Sequence, residues 1–143
     1  MSFEVGTRCW YPNESLGWIG GEISKYEVKD GKYHLELTLE NGTVVPIETD
    51  SLVNHTDDPN SKLPQLRNPP ILEATEDLTS LSYLNEPAVL HAIKQRYSQL
   101  NIYTYSGIVL IATNPFDRVD QLYSQDMIQA YAGKNRGELE PHL

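Results

Sequence analysis

Residues 33–47, YHLELTLENGTVVPI, constrain the fold more than any other stretch of the chain. Tyr33, Leu35, Leu37 and Leu39 alternate with His34, Glu36, Thr38 and Glu40. A period of two puts the apolar set on one face of a strand and the polar set on the other, which requires a sheet with one buried and one wet face. Asn41-Gly42 then separates this run from a second β-type run, Thr43–Ile47, and predicts a hairpin through a type I′ turn. Pro46 has no amide donor, so the returning strand is expected near a sheet edge.

Upstream, Thr7–Tyr11 is an aromatic-rich run ended by Pro12, and Asn13-Glu14-Ser15 reads as a polar loop. Gly17–Ile23 restarts a strand in which Gly20 and Gly21 predict a bulge or tight bend. Four or five short strands in so short a span predict a small, strongly bent all-β barrel over residues 1–55. Residues 56–70 are rich in proline and polar filler, have no periodicity, and are expected to be a linker, with Asp57 and Asp58 on a solvated loop.

The rest of the chain, 71–143, reads as mixed α/β. Leu78–Leu84 is a short apolar turn, and Asn85 or Glu86 caps a helix whose first turn tolerates Pro87. That helix is expected through Ala88–Ser98, with Val89, Leu90, Ile93, Tyr97 and Leu100 on its apolar face. Two apolar strands follow, Ile102–Tyr105 and Ile108–Ala112, around Ser106-Gly107 and closing on Asn114-Pro115. A second helix is expected over Ser124–Ala132 with Gly133 at its end, and Pro141 looks like the first turn of a third.

Composition removes several functions. The chain carries 20 acids against 11 bases, a net charge of −9. Up to Asn68 there are 11 acids and 6 bases, and beyond it 9 and 5, so neither half is basic. Binding nucleic acid requires clustered Lys and Arg, and no such partner is expected. The single cysteine, Cys9, excludes an intrachain disulfide and a cysteine-based zinc site, and reads as a small buried hydrophobe in a reducing compartment. No run reaches the ~20 apolar residues of a membrane span. The start, MSFEVGTR, has no charged region ahead of an apolar one, so a cytoplasmic chain without membrane insertion is expected.

Catalytic constellations are missing as well. Gly133-Lys134 lacks the glycine five residues earlier and the Ser or Thr that a phosphate-binding loop requires; Ile128 and Asn135 stand there. His34, His55, His91 and His142 show no metal-ligand spacing, and His91, on the first helix, reads as structural. No residue beside Ser106 or Cys9 supplies a general base. Asn114-Pro115-Phe116-Asp117-Arg118 differs in kind. It leaves the end of an apolar strand, where α/β sheets bind ligands, and together with Tyr123 offers an amide, a rigid ring, a cation and a stacking surface for a planar base. An Asn-Pro pair is also an everyday turn.

Residues 81–116 carry LNEPAVLH, RY, IYTYSG and NP in this order and spacing, which resembles the opening of the myosin motor domain. VGTRCWYP followed by GWIGGEI resembles the class V start, of the fungal type, and ELEPHL resembles the approach to that family's phosphate-binding loop. The resemblance implies an SH3-like barrel followed by the first, incomplete α/β part of a motor. Its two apolar strands would belong to a large central sheet buried on both faces. It further implies that Asn114, Pro115, Arg118 and Tyr123 lie on the adenine side of ATP, although many family members place the tyrosine one residue earlier, where this chain has Leu122.

ATP and Mg2+ would serve the full-length motor, with none held tightly by these residues alone. Actin filaments, calmodulin or light chains, cargo adaptors and a dimerising coiled coil would engage other regions, and no catalytic residue is expected here. The alternative is a stand-alone SH3-like peptide-binding module using Trp10, Tyr11, Trp18, Tyr26 and Tyr33.

Overall fold

The alternation at 33–39 becomes the inner face of a five-stranded antiparallel sheet. The computed structural model describes residues 3–53 and 63–143, which divide into two units, 1–69 and 70–143. The first unit holds β1 (Arg8–Asn13), β2 (Gly17–Lys29), β3 (Lys32–Leu39), β4 (Val44–Thr49) and β5 (Gln65–Leu66). Its sheet order is β4-β3-β2-β1-β5. Leu35, Leu37 and Leu39 face inward with Cys9, Ile19, Ile23, Ile47, Phe3 and Leu63 to form the core. Burying one such aliphatic side chain contributes about 1.5–3 kcal/mol.

Where a small barrel was expected, the sheet is open: no pairing joins β4 to β5 among the described residues. Its edges are blunted by Pro46 on β4 and by the two-residue length of β5. β5 also places Gln65 and Leu66 inside the first unit, where a linker through residue 70 was expected; Leu66 pairs with Cys9 and Gln65 with Trp10. His55, Asp57 and Asp58 lie outside the described residues.

The turns reveal what sets the register. The two-residue type I′ turn is Asp30-Gly31, with φ of 52° and 77°, and it joins Lys29 to Lys32. At Asn41-Gly42, where that turn was expected, only Gly42 is left-handed and the connection spans Glu40–Thr43. Gly42 N donates to Leu39 O (2.8 Å), and Asn41 Oδ1 accepts from Thr43 N (3.0 Å). A two-residue turn there would pair Glu40 with Thr43 and slip β4 by one residue. Pro46 and Glu48 would then replace Val45 and Ile47 opposite Leu37 and Leu35. Core burial overrides the local turn preference.

Two further details differ from the sequence expectation. Gly20 and Gly21 do not form the bulge, which sits at Ser24 between Ile23 and Lys25. They make room instead: a β-carbon on Gly21 would lie 2.9 Å from Thr38 O, and one on Gly20 would meet the Arg67 guanidinium and the Glu40 carboxylate. β1 also runs through Pro12, because β5 reaches only Cys9 and Trp10 and leaves that side of Pro12 unpaired.

The second unit contains 3-10 turns at Pro70–Leu72 and Leu78–Ser80, then α1 (Glu86–Ser98), β6 (Tyr103–Ser106), β7 (Val109–Ala112) and α2 (Gln125–Tyr131). Asn85 caps α1 by accepting from Ala88 N (3.1 Å), with Pro87 in the first turn. Ser124 caps α2, and Gly133 follows it with φ 75°. Pro141 starts no helix here.

The buried face of α1 is Pro87, Ala88, Ala92 and Arg96, not the larger aliphatics. Leu90 is exposed, and Leu100 is not helical at all. It is the left-handed residue (φ 63°) of a helix-ending motif in which Leu100 N donates to Tyr97 O and Asn101 N to Arg96 O. β6 and β7 form a two-stranded antiparallel hairpin, and Ile108 is 96% exposed; the larger sheet that the resemblance implies would need strands from outside these residues. Residue 77 ties its turn down: Asp77 Oδ1 accepts from Thr79 N (3.0 Å) and Gly107 N (3.1 Å). No helix among the described residues is long and apolar enough to cross a membrane.

Both tryptophans lie in the first unit, so their fluorescence reports its unfolding alone. Leu37→Ala should cost that transition about 2–5 kcal/mol in urea, the range for deleting a buried leucine side chain. Leu100→Gly should slow hydrogen exchange of the α1 amides, gaining up to about 1 kcal/mol, because glycine carries no left-handed penalty and Leu100 is mostly exposed. Unchanged or faster exchange would contradict this assignment.

Candidate functional site

The end of β7 turns the chain into a cup. Thr113 N donates to Ile102 O (2.9 Å) and closes the open end of the hairpin. Asn114 Oδ1 then accepts from Phe116 N (2.8 Å), and Phe116 takes a left-handed φ of 53°. This local side-chain acceptor offsets part of the cost of that backbone. Pro115 O accepts from the Tyr97 hydroxyl of α1 (3.0 Å), which anchors the turn to the helix. Asp117 Oδ1 accepts from Arg118 N (2.7 Å).

Asn114, Pro115, Arg118 and Tyr123 all line one open pocket of about 730 Å3, together with Ile102 and the 119–122 loop. The Asn114 carbonyl oxygen is already engaged, so its amide nitrogen is the group left to donate. The Arg118 guanidinium has no ion-pair partner among the described residues. Two carboxylates, Asp117 and Asp120, share the lining with this one cation, and no lysine does. That balance repels a dense anion and suits a neutral, hydrogen-bonding planar group.

Tyr123 is placed by contacts distant in sequence. Gln121 takes a left-handed φ of 63° just ahead of it. The Tyr123 and Tyr103 hydroxyls share a hydrogen bond. His142 lies edge-on to the Tyr123 ring, with ring centres 5.7 Å apart, and its Nε2 donates to Leu122 O (2.8 Å). Tyr103 and Tyr131 complete an aromatic cluster around His142, with ring centres at 5.2 and 5.0 Å, and the Tyr131 hydroxyl donates to Glu140 O (2.7 Å).

The hydrogen bond to Tyr123, and burial, push the Tyr103 phenol up to about 12. Sequence reasoning missed Tyr103 and His142. They stand 20 and 19 residues from Tyr123, and no local pattern links the three.

Burial raises the Cys9 thiol to about 12, which disfavours the thiolate that a nucleophile needs. His91 Nε2 lies 3.3 Å from the Glu73 carboxylate, and neither residue lines the pocket. Among the described residues, no group of His, Cys, Asp and Glu is placed to hold a metal ion.

Residues 75–143 match the family described as "Myosin head (motor domain)". The whole chain is 82% identical to Myosin-2 of Saccharomyces uvarum and 79% identical to Myosin-2 of Saccharomyces cerevisiae, and covers 9% of the length of each. It is 44% identical over 138 residues to unconventional myosin-Vb of Rattus norvegicus, a match covering 96% of this chain and 7% of that protein.

A raised phenol pKa means that the folded state favours the protonated hydroxyl. Its contribution to stability is therefore complete below the unfolded value near 10 and is lost as pH rises through about 12. Alkaline titration followed by tyrosinate absorbance should show one late-ionising phenol that belongs to Tyr103. Tyr103→Phe should remove that late component. A variant with an unchanged titration curve would show that Tyr103 is not the protected phenol.

Proposed function

The chain belongs to the myosin family, of the class V type, and from that premise we propose that it supplies the SH3-like unit and the adenine-side wall of the nucleotide site in an actin-based, ATP-driven motor. The observation that carries the reading is the shared pocket. Four residues read from sequence as a base-binding set converge on one cup, within the segment that matches the motor domain. Asn114 would donate its amide to a ring nitrogen, Pro115 and Tyr123 would pack on the faces of the base, and Arg118 would fix the polar edge.

Charge supports the base side and not the phosphate side. One arginine against two aspartates cannot neutralise a triphosphate, whose affinity comes from charge-assisted contacts. The phosphate cradle, Mg2+ and the water that attacks the γ-phosphate would be supplied by other parts of the heavy chain. On this reading the whole protein carries vesicles and organelles along actin filaments in the cytoplasm. It binds calmodulin or light chains and cargo adaptors, and dimerises through a coiled coil.

The SH3-like assignment of residues 1–55 rests on the meander order of the sheet. The peptide-module alternative finds little support, because the Trp10 ring is buried and covered by the Arg67 guanidinium at 4.1 Å. An aromatic peptide groove needs that ring open.

The 143 residues alone should show no ATP hydrolysis, while Arg118→Ala in the intact heavy chain should raise KM for ATP. Loss of one charged hydrogen bond corresponds to roughly ten- to a hundredfold. Turnover by the isolated chain that Arg118→Ala abolishes would defeat the reading.

A further inference from the structure

We propose that Tyr103 is a positioning residue for the pocket: its hydroxyl, with the His142 ring behind it, holds Tyr123 as a fixed wall against which the planar part of a nucleotide packs. This rests on the adenine-side reading of the pocket and adds residues that lie outside its lining, since neither Tyr103 nor His142 borders it.

The argument starts from the exposure of the two tyrosines. Tyr123 is 61% exposed and follows a loop, so its ring has little packing of its own and free rotamers to lose. Tyr103 is 5% exposed and sits on β6, where Thr104 and the Tyr103 carbonyl are held by Arg96 of α1. A hydroxyl on a buried strand residue therefore holds a hydroxyl on an exposed ring.

His142 removes the remaining freedom in two ways. Its edge-on contact restrains the ring plane of Tyr123, and its Nε2–H bond to Leu122 O fixes the backbone one residue before it. The left-handed Gln121 aims this backbone at the cluster. A ring restrained at its hydroxyl, its edge and its backbone presents one open face to the pocket, and a ligand packing there orders no further side chain. Preorganisation of this kind strengthens binding by removing an entropic cost.

The bond to Tyr123, and after it burial, favour the protonated Tyr103 phenol, so the hydroxyl-to-hydroxyl bond has its proton throughout the physiological range. The proposal separates the base from the phosphates: Tyr103 acts through Tyr123 and so affects the planar group alone.

The experiment compares ATP with inorganic tripolyphosphate, which lacks a base, on the intact heavy chain. Tyr103→Phe deletes one hydroxyl and keeps the ring. It should weaken ATP about two- to tenfold, the range for one net hydrogen bond, and leave tripolyphosphate unchanged. Tyr123→Phe breaks the same bond from the exposed side and should give the same loss; it stands in should Tyr103→Phe fold poorly. Combining the two should add nothing further.

Equal losses for ATP and tripolyphosphate, additive losses in the double variant, or full ATP affinity in both single variants would overturn the positioning role. Tyr123→Ala without effect on ATP would instead sink the adenine-side reading, and this inference with it.

Discussion

Arg96 is the interaction on which the second unit depends. Arg96 is 4% exposed; its guanidinium donates through Nε to Thr104 Oγ1 (3.0 Å) and through Nη2 to Tyr103 O (2.9 Å), and has no carboxylate partner among the described residues. A buried cation is costly unless its donors are satisfied, and here neutral oxygens of β6 satisfy them. The helix α1 and the strand β6 are therefore fixed to each other by a group that neither can release to water cheaply. Tyr97, one residue on, holds the Pro115 carbonyl, so the same end of the helix sets both the strand and the turn beyond β7.

The two units solve burial differently. In the first, nine buried apolar residues form one cluster, and its register is dictated by which side of β4 can face it. In the second, the buried cluster is Leu78, Leu81, Ala88 and Ala92, two of them alanines with little surface to bury. Polar anchors supply what that core does not: Arg96 on β6, Asp77 on the Gly107 turn, and Arg136 stacked over Tyr105 at 4.1 Å. A buried hydrogen bond to a charged group, as at Arg96, contributes about 1.5–3 kcal/mol net, comparable with one well-buried leucine, and the exposed contacts contribute less. Placement in this unit consequently rests on a few directional contacts more than on an apolar core.

That contrast explains what was legible in the sequence. Period-two alternation in β3, a cap at Asn85 or Glu86 ahead of Pro87, and a second helix ending before Gly133 are short-range signals; the structure has the alternation, takes Asn85 as the cap, and uses Ser124 to cap a helix over Gln125–Tyr131. Errors arose where a distant contact overruled a near one. Asn41-Gly42 gave way to core register, while Asp30-Gly31, a signal of the same kind, formed the two-residue turn. The large aliphatics of α1 suggested its inner face, but Arg96 took that face because β6 offered it acceptors. Leu100 continued the helical spacing in sequence and yet ends the helix.

The pocket follows the same division. Asn114, Pro115 and Arg118 sit within five residues and could be read together, because one turn brings them to one wall. Tyr123 is brought to that wall by Tyr103 and His142, from a strand and from a segment beyond α2. Nothing in the spacing of three aromatic residues so far apart announces a cluster. Yet the chemistry requires some such arrangement: an exposed ring after a loop cannot hold a planar ligand reproducibly unless a rigid element restrains it. In this unit the rigid element is β6, which is itself rigid because Arg96 is buried against it. The geometry of the candidate site thus traces back, through two hydrogen bonds and one strand, to a single buried guanidinium.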